Sequence, residues 1–252
     1  KRYADKWYAI FKVDLHTDNV VHNSETRKPS VGVDLGISNF ATLSTGESIS
    51  NPRFVKKSER LLAKRQKRLA RKQRNSNRYK KAKNKVAELH KKVTDKRDNF
   101  QHCIANYLVE NYSSITIEDL HVNGMIKNRK LAKAILDASF TAFRNKLQYK
   151  CEEKGVTLNI ADRFFPSSKT CSCCGYKKES LSLKERTFTC SNCGTSLDRD
   201  HNAAINLLNY QPLPKIKRKR KTDVIESVSP ASQANSFDDV NNIITTNTEI
   251  II

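Results

Sequence analysis

Two cysteine pairs constrain the fold of this 252-residue chain more than any other feature. Cys171 and Cys174 enclose two residues, Cys190 and Cys193 enclose two more, and fifteen residues separate the pairs. This is the spacing of a four-cysteine zinc ribbon, and a glycine directly after each pair permits the tight turn that points both thiolates at one ion. Two redox-active or disulfide-forming pairs are the alternative, but redox chemistry does not need a second pair at this spacing. We therefore predict structural Zn²⁺ at these four cysteines, with Cys173 as a spacer.

An acidic segment follows the second cysteine pair closely. Asp198 and Asp200 precede an apolar run with helical spacing that begins near Asn202. Carboxylates at the start of a helix satisfy free backbone N–H groups and the helix dipole, so either aspartate could simply cap the helix. A chemical role for one of them therefore depends on partners elsewhere in the chain.

Two further acids lie in short apolar segments that are typical of buried strands. Asp34 is the carboxylate within VGVDLG, and Glu118 lies in ITIEDL. A carboxylate buried on a central strand is costly unless it is paired or bound to metal. If the two strands are neighbours in an open α/β sheet, their carboxyl ends bring these acids together. The alternatives are a turn-capping role for Asp34 and a solvated loop position for Glu118.

The charge balance predicts a polyanionic partner. Lys and Arg total 47 against 26 Asp and Glu, which gives a net charge of +21. Nucleic acid is favoured over an anionic membrane surface, because no apolar run approaches the length of a membrane span. Seven cysteines, four of them at zinc spacing, fit a reducing compartment. We expect a cytoplasmic protein, nucleoid-associated if the source is bacterial or archaeal, with Cys103 and Cys151 in its core.

A strongly basic helical arm is predicted after the first strands. Between residues 53 and 97, twenty Lys or Arg stand against three acids, and no Gly or Pro interrupts them. A run of charges often marks only a solvated helix face, but the single sign of this one favours phosphate binding. The predicted nucleic-acid contacts are Lys64, Arg65, Arg68, Arg71, Lys72, Arg74 and Lys169.

The remaining segments give a strand, a helix and a tail. Residues 6–14 alternate loosely as a strand, residues 130–154 have the apolar spacing of one amphipathic helix with Gly155 as its C-cap, and residues 156–161 form another strand. Residues 211–252 are expected to be disordered. Three interpretations of their basic stretch KIKRKRK are open: it adds electrostatic attraction to nucleic acid, it is a nuclear localisation signal, or it is simply solvated.

The two strand acids and one aspartate at the helix start could converge at one sheet edge. Three such carboxylates repel one another unless divalent cations lie between them. Two Mg²⁺ ions, or Mn²⁺, about 3.5 to 4 Å apart would neutralise them, activate an attacking water and stabilise the leaving oxygen of a phosphodiester. The constellation therefore predicts a metal-dependent nuclease.

Four passages carry a resemblance to a known family. VGVDLGISNFAT, ITIEDL, FPSSKTCSCCGY and RTFTCSNCGTSLDRDHNAAINL, with their spacing, resemble the RuvC-like nuclease region of OrfB-type transposon proteins, the TnpB family, which are relatives of the type V CRISPR nucleases. The resemblance covers about residues 3–210 and corresponds to the C-terminal portion of family members.

The resemblance implies both a fold and a chemistry. The fold is an RNase H-like (RuvC) mixed α/β sheet with flanking helices, a long basic helical hairpin or arm and an inserted zinc ribbon. The implied catalytic, magnesium-binding acids are Asp34, Glu118 and Asp200, because the family acid lies two residues before the Asn of the D-x-D-x-N run. The implied activity is RNA-guided cutting of DNA, with DNA and a guide RNA as partners.

The predicted organisation follows from these passages. Residues 1–28 end an N-terminal domain as a strand and linker, and residues 29–162 form the nuclease core with the basic insertion at 53–110. Residues 163–197 form the zinc ribbon, 198–210 form the last RuvC segment and helix, and 211–252 form the tail.

Two other functions compete with a transposon-encoded, divalent-metal-dependent DNA endonuclease. An ATPase of the actin and heat-shock type also has DLG after a strand, but it needs a second glycine-rich phosphate loop, which is not found among seven glycines. A non-cleaving nucleic-acid binder, such as a relic or repressor from a truncated transposase gene, would keep the basic arm and ribbon. Magnesium-dependent cleavage distinguishes the nuclease from the binder.

Overall fold

The computed structural model describes residues 2–3, 6–11, 28–182 and 185–211. The first elements are two short antiparallel strands, β1 (Arg2–Tyr3) and β2 (Lys6–Trp7). The strand predicted over 6–14 is wrong in extent, because residues 8–11 have no regular secondary structure and 12–14 lie outside the described residues. Most of the predicted linker and, beyond Gln211, the predicted tail also lie outside them.

A five-stranded mixed sheet forms the centre of the fold. Its strands are β3 (Ser30–Leu35), β4 (Asn39–Leu43), β5 (Ser48–Ser50), β6 (Ser114–Glu118) and β7 (Thr157–Ala161). The strand order is β5-β4-β3-β6-β7, in which β3, β6 and β7 pair in parallel and β4 pairs antiparallel with both β3 and β5. The prediction of a mixed α/β sheet is confirmed.

The predicted basic arm is a hairpin of two helices, α1 (Phe54–Ala70) and α2 (Asn77–Asn111). Ser76 caps α2, because its hydroxyl accepts the Tyr79 N–H at 3.1 Å. The exposed faces of the hairpin carry the basic residues, whereas the C-terminal half of α2 buries Ile104 and Leu108 against the sheet. Helix α2 therefore has an outer half whose surface is mostly charged and an inner half whose apolar side packs on the sheet.

The single helix predicted over 130–154 is wrong. After the short helix α3 (Val122–Met125), the structure has α4 (Arg129–Ala138) and α5 (Phe140–Lys154), separated by Ser139 in a left-handed conformation with φ 55°. Long-range contacts support the break: the Asp137 carboxylate accepts the Val55 N–H at the start of α1, and buried Gln101 donates to the carbonyl oxygens of Ala138 and Ser139.

Gly155 is the predicted C-cap of α5, with φ 66°, and this prediction is confirmed. Cys151 is buried in the core, as predicted. Cys103 is exposed, so its predicted core position is wrong. It lies on α2 between inward-facing Gln101 and Ile104, on the side of the helix that faces solvent.

Two layers cover the faces of the sheet. Because successive strand residues point to opposite faces, Val31 and Val33 face one way and Gly32 and Asp34 face the other. The first face packs on α2 and α5. The second face packs on the last helix, α6 (Arg199–Leu208).

The cysteine-containing segment lies between β7 and α6. It includes a two-stranded ladder, β8 (Thr187–Thr189) and β9 (Ser196–Asp198). Phe188 is fully buried in a small cluster with Cys171 and Cys190. Within the described residues, no helix combines the length and the apolar composition needed to cross a membrane.

Candidate functional site

The four predicted zinc ligands lie together. One sulfur atom from each of Cys171, Cys174, Cys190 and Cys193 falls within 4.8 Å of all the others. The Sγ atoms of Cys171 and Cys193 are 3.7 Å apart, and those of Cys174 and Cys190 are 3.6 Å apart. A tetrahedral site with Zn–S bonds of about 2.3 Å requires sulfur atoms about 3.8 Å apart. The cluster therefore fits a metal ion such as zinc.

Local hydrogen bonds prepare the sulfurs for metal. The Asn192 N–H donates to Cys190 Sγ at 3.4 Å, and the Thr195 hydroxyl lies 3.1 Å from Cys193 Sγ. The hydrogen bond from Thr195 is the main cause that lowers the pKa of Cys193 to about 6. Since the thiolate is the form that binds metal, this environment favours ligation at Cys193, whereas burial raises the pKa of Cys171 to about 11, so the thiolate of Cys171 needs the charge of the metal.

Asp34 and Glu118 lie side by side on the sheet. The parallel register of β3 and β6 pairs Val33 with Ile117, so the next residues along the two strands, Asp34 and Glu118, are neighbours. Both lie at the carboxyl ends of their strands, on the face that α6 covers.

The first turn of α6 carries Asp200 toward the same edge. A Cβ atom built on Gly32 would lie 2.0 Å from the Ala204 carbonyl oxygen, so α6 crosses β3 in direct backbone contact. Asp200 lies one helical turn before Ala204 on the same helix face, and Asp34 lies two residues after Gly32 on the same sheet face. Only glycine at position 32 permits this approach, which places Asp200 near Asp34.

The electrostatics reflect this proximity. Burial, followed by the charges of Glu118 and Asp200, raises the pKa of Asp34 well above its ordinary value, and only Arg199 acts in the opposite direction. Burial and the charge of Asp200 likewise raise the pKa of Glu118, while a hydrogen bond from the Ser167 hydroxyl lowers it. Three carboxylates this close disfavour one another's ionisation until positive charge is supplied.

Asp198 and Asp200 have different environments. Asp198 is the N-cap of α6, and its Oδ1 accepts the N–H groups of Asp200 at 2.9 Å and His201 at 3.1 Å. The carboxylate of Asp200 is not used in this cap. It lies 3.6 Å from Arg199 Nε and 4.0 Å from Arg186 Nη1. Of the two aspartates, capping is therefore the role of Asp198.

Sequence reasoning missed the residues that join the ribbon to the acids. Buried Asn202 donates to the Thr170 carbonyl oxygen at 2.7 Å and accepts the Ser172 N–H at 2.9 Å. Asn206, one turn later, donates to the carbonyl oxygens of Ser167 and Thr170, each at 2.7 Å. The available signal was two asparagines spaced i, i+4 in an otherwise apolar helix, since buried amides require partners.

The predicted nucleic-acid contacts fall into two places. Lys64, Arg65 and Arg68 lie on α1, and Arg71, Lys72 and Arg74 lie in the connection to α2. Most of these side chains are exposed, but Arg65 is half-buried and donates to the Lys85 carbonyl oxygen. Lys169 belongs instead to the ribbon, where its ammonium group donates to the Glu179 carbonyl oxygen.

Solved structures show the class of fold. A cryo-EM structure of a Cas12f1–sgRNA–target DNA complex matches with a TM-score of 0.50 and 19% identity, covering 71% of this chain and 49% of that one. A CRISPR–Cas12f ternary complex matches with a TM-score of 0.53 and 21% identity, covering 73% of this chain and 40% of that one. The mixed sheet with its surrounding helices thus has the fold of the corresponding part of these proteins.

Family models and curated relatives identify the family. The OrfB_IS605 model, described as "Probable transposase", matches residues 11–129, and the Cas12f1-like TNB domain matches residues 140–207. A relative from Streptomyces pristinaespiralis, named as an RNA-guided DNA endonuclease, is 42% identical over 81% of this chain and 50% of its own length. One from Escherichia coli with the same kind of name is 29% identical over 81% of this chain and 53% of its own length.

The chain belongs to the OrfB (TnpB) family of transposon-encoded proteins. It spans about half the length of the curated relatives that it matches.

Proposed function

We propose that this chain carries the nuclease centre of an RNA-guided DNA endonuclease of the TnpB family. Relatives with that name align with most of the chain. The order of the sheet, with antiparallel β5-β4-β3 followed by parallel β6 and β7, supports an RNase H-like, RuvC-type fold. The substrate is DNA, and the reaction is hydrolysis of a phosphodiester bond.

The observation that carries this proposal is the convergence of Asp34, Glu118 and Asp200 at one edge of the sheet. Burial and mutual repulsion raise the pKa of Asp34 although Arg199 acts in the opposite direction, so the arginines do not fully balance the charge of the cluster. Carboxylate oxygens are the ligands that Mg²⁺ and Mn²⁺ prefer. Bound there, the metal supplies Lewis-acid charge and an activated water for attack on phosphorus.

The chain's own side chains orient the acids and supply counter-charge. The Ser167 hydroxyl fixes Glu118 through its hydrogen bond, and the backbone contact of α6 with Gly32 fixes the position of Asp200. Arg199 and Arg186 flank Asp200. The Nε of Arg199 is buried and has no hydrogen-bond partner within the described chain, and it lies 3.6 Å from Asp200 Oδ1, so its charge acts on the acids.

Zinc at the four cysteines has a structural role in this proposal. Four thiolates close the coordination sphere, which leaves no position for a substrate. The ribbon is joined to α6 through Asn202, so an ordered ribbon holds the helix that begins with Asp200. The metal therefore stabilises the site without entering the chemistry.

The basic helical hairpin is the proposed nucleic-acid surface. Lys64 and Arg68 on α1 and Arg71 at its end are exposed and have one sign of charge. Such a surface binds the phosphates of the target DNA and of a guide RNA without reading their sequence. Binding by this surface is expected to weaken steeply with salt concentration.

The deciding experiment compares Asp34→Asn with the unaltered chain on labelled single-stranded and double-stranded DNA. Cleavage should require Mg²⁺ or Mn²⁺ and should fall at least about 100-fold in the variant, because a metal ligand contributes several kcal/mol to the transition state. DNA affinity at fixed salt should stay unchanged. Glu110→Gln, an exposed acid near the end of α2, is the control and should cleave normally.

The non-cleaving binder gives a different result. In that case both proteins bind DNA with the same salt dependence, and neither produces metal-dependent cleavage. Manganese would also change the melting temperature of the two proteins by the same amount, since no metal would bind at Asp34.

A further inference from the structure

Phe164 is the most exposed large hydrophobic side chain among the described residues, at 86% exposure. By contrast, the phenylalanines of the sheet core, such as Phe40 and Phe143, are almost completely buried. A single exposed apolar residue is ordinary by itself, so its significance depends on the rigidity and the location of the segment that presents it.

The segment that carries Phe164 is held firmly on both sides. The Asp162 carboxylate accepts the Phe164 N–H at 2.8 Å, and the Phe165 N–H donates to the Asp162 carbonyl oxygen at 2.9 Å. The Phe165 ring packs edge-on against Tyr210 at 4.9 Å between centroids, and the Tyr210 hydroxyl accepts the Asp162 N–H at 3.2 Å. Phe165 is therefore the anchor, and its neighbour is turned out to solvent from a fixed backbone.

The same segment borders the acidic cluster. Ser167, three residues after Phe164, donates its hydroxyl to Glu118. Three residues of chain span at most about 10 Å, so the backbone of Phe164 lies within that distance of the backbone of Ser167, whose hydroxyl holds one of the acids. The residue before Phe164, Arg163, forms an ion pair with Asp119 at 2.9 Å, and Asp119, which directly follows Glu118, also binds Arg144 at 2.6 Å. The segment that presents the exposed ring thus also carries Arg163, which is paired to an acid, and Ser167, which is bonded to Glu118.

We propose that Phe164 is a stacking platform for a nucleobase of single-stranded DNA lying beside the bond to be cut. Sites for single strands combine positive charge along the backbone with an aromatic face for a base, and every base offers such a face. The site therefore accepts any sequence and positions the strand in its unpaired form. This inference rests on the proposed nuclease function, because the acids define where the strand must pass.

Binding tests the platform without depending on cleavage. In the Asp34→Asn background, Phe164→Ala should weaken the affinity for a labelled oligothymidine, measured by fluorescence anisotropy, by roughly 5- to 150-fold. Phe164→Trp should keep the affinity, and Phe164→Leu should lose it, because leucine fills similar space without a π-face. Phe11→Ala is the control, since Phe11 is 82% exposed but belongs to the N-terminal segment, whose neighbouring residues face α2.

An abasic scan identifies the stacked nucleotide. Removing one base at a time should reduce the affinity of the Phe164-containing protein at one or two positions, and the same removals should have no effect with Phe164→Ala. If the ring has a merely structural role, Phe164→Ala should lose the same factor in affinity for every oligonucleotide of the scan, and its melting temperature should fall. The proposal is overturned if, in the Asp34→Asn background, Phe164→Ala binds the oligonucleotide as tightly as Phe11→Ala does, and metal-dependent cleavage by the unaltered chain would then leave the nuclease function standing. Loss of affinity in Phe164→Ala, together with no cleavage by the unaltered chain, would instead support base stacking on Phe164 and refute the nuclease.

Discussion

The sheet core and the four-cysteine ribbon hold their folds in different ways. The core buries a continuous apolar cluster between the sheet and helices α2 and α5, in which Phe143 and Leu147 are fully buried. Among its described residues, the hydrophobic cluster of the ribbon consists of Phe188, two of the cysteines and partly buried Leu181. Burying one phenylalanine contributes about 3 kcal/mol at most, which cannot offset the entropy of ordering the whole ribbon. The core is therefore expected to fold without metal, and the ribbon is not.

Helix α6 contacts both regions and therefore connects the folding of the ribbon to the acidic cluster. One face of α6 contacts β3 at Gly32, while Asn202 and Asn206 hold the segment that leads into the first cysteine pair. Asp200 lies in the first turn of the same helix. Disorder in the ribbon should therefore reach the acidic cluster through α6, even though no cysteine belongs to that cluster.

The largest expected effect comes from removing a buried cysteine ligand. Cys190→Ser should abolish zinc binding and leave the ribbon unfolded, because structural zinc contributes about 10–16 kcal/mol to the folding of comparable small modules. Hydrogen exchange measured by mass spectrometry should show lost protection in residues 168–198 and retained protection in β3, β6 and α2. Nuclease activity should fall with the ribbon.

Cys173→Ser is the matched control, since Cys173 is exposed and is not part of the four-sulfur cluster. It should retain one zinc ion per chain and full protection. Equal loss of protection in the ribbon and in the sheet core of Cys190→Ser would contradict the independence of the two regions.

Gly32→Ala tests the connection from the side of the core. The added Cβ would lie 2.0 Å from the Ala204 carbonyl oxygen and 2.4 Å from the Leu208 nitrogen, and both are backbone atoms that cannot rotate away. Helix α6 must therefore move outward, at a cost of at least about 1–3 kcal/mol in the free energy of unfolding. Urea denaturation measures this cost, and the loss of nuclease activity should exceed the loss of folded protein.

Gly36→Ala, directly after the end of β3, is the control for this variant. Its added Cβ meets only the Asn39 carbonyl oxygen, at 3.0 Å, so the steric conflict is smaller. A smaller destabilisation with preserved activity is expected there. If Gly32→Ala proved as mild as Gly36→Ala, close contact would not be what positions α6.

Asn202→Ala tests the connection from the side of the ribbon. Asn202 is 0% exposed, and its removal leaves the Ser172 N–H without its partner while Thr170 keeps the hydrogen bond from Asn206. One buried unsatisfied group costs about 1–3 kcal/mol. Thermal unfolding should show this loss, zinc content should be unchanged, and Asn209→Ala, at the exposed end of α6, should have no effect.

The sequence predicted the features that depend on local patterns. These features are the cysteine spacing, the apolar strands around Asp34 and Glu118, and the basic helices. Each follows from a periodicity or a turn rule that acts within a few residues. The structure agrees with these features because nothing distant competes with them. The roles proposed for the three acids still await the cleavage experiment.

The features that escaped prediction depend on distant partners. The break at Ser139 is supported by Asp137 bonding to Val55 and by Gln101 bonding across to Ala138, contacts that no window around residue 139 contains. The apolar spacing continues through the break because α4 and α5 both pack on the same core. The roles of Ser167 and Asn202 were hidden for the same reason.

The smallest expected effect lies at an exposed contact between α2 and the β4–β5 turn. The Tyr107 hydroxyl donates to Glu47 Oε2 at 2.7 Å, and this hydrogen bond is the main cause that raises the pKa of Tyr107 to about 12. Because the folded-state pKa is above the unfolded value of 10.0, the bond stabilises the fold fully below about pH 10 and ceases to do so as pH rises through about 12. Both groups are exposed, so Tyr107→Phe should cost no more than about 0.5 kcal/mol at pH 8. Urea denaturation between pH 8 and pH 12 should show the two proteins becoming equally stable at the alkaline end, while the zinc content and the ribbon protection of both stay the same at pH 8. A difference in stability that persisted unchanged at pH 12 would mean that packing of the ring, rather than its hydrogen bond, joins the hairpin to the sheet.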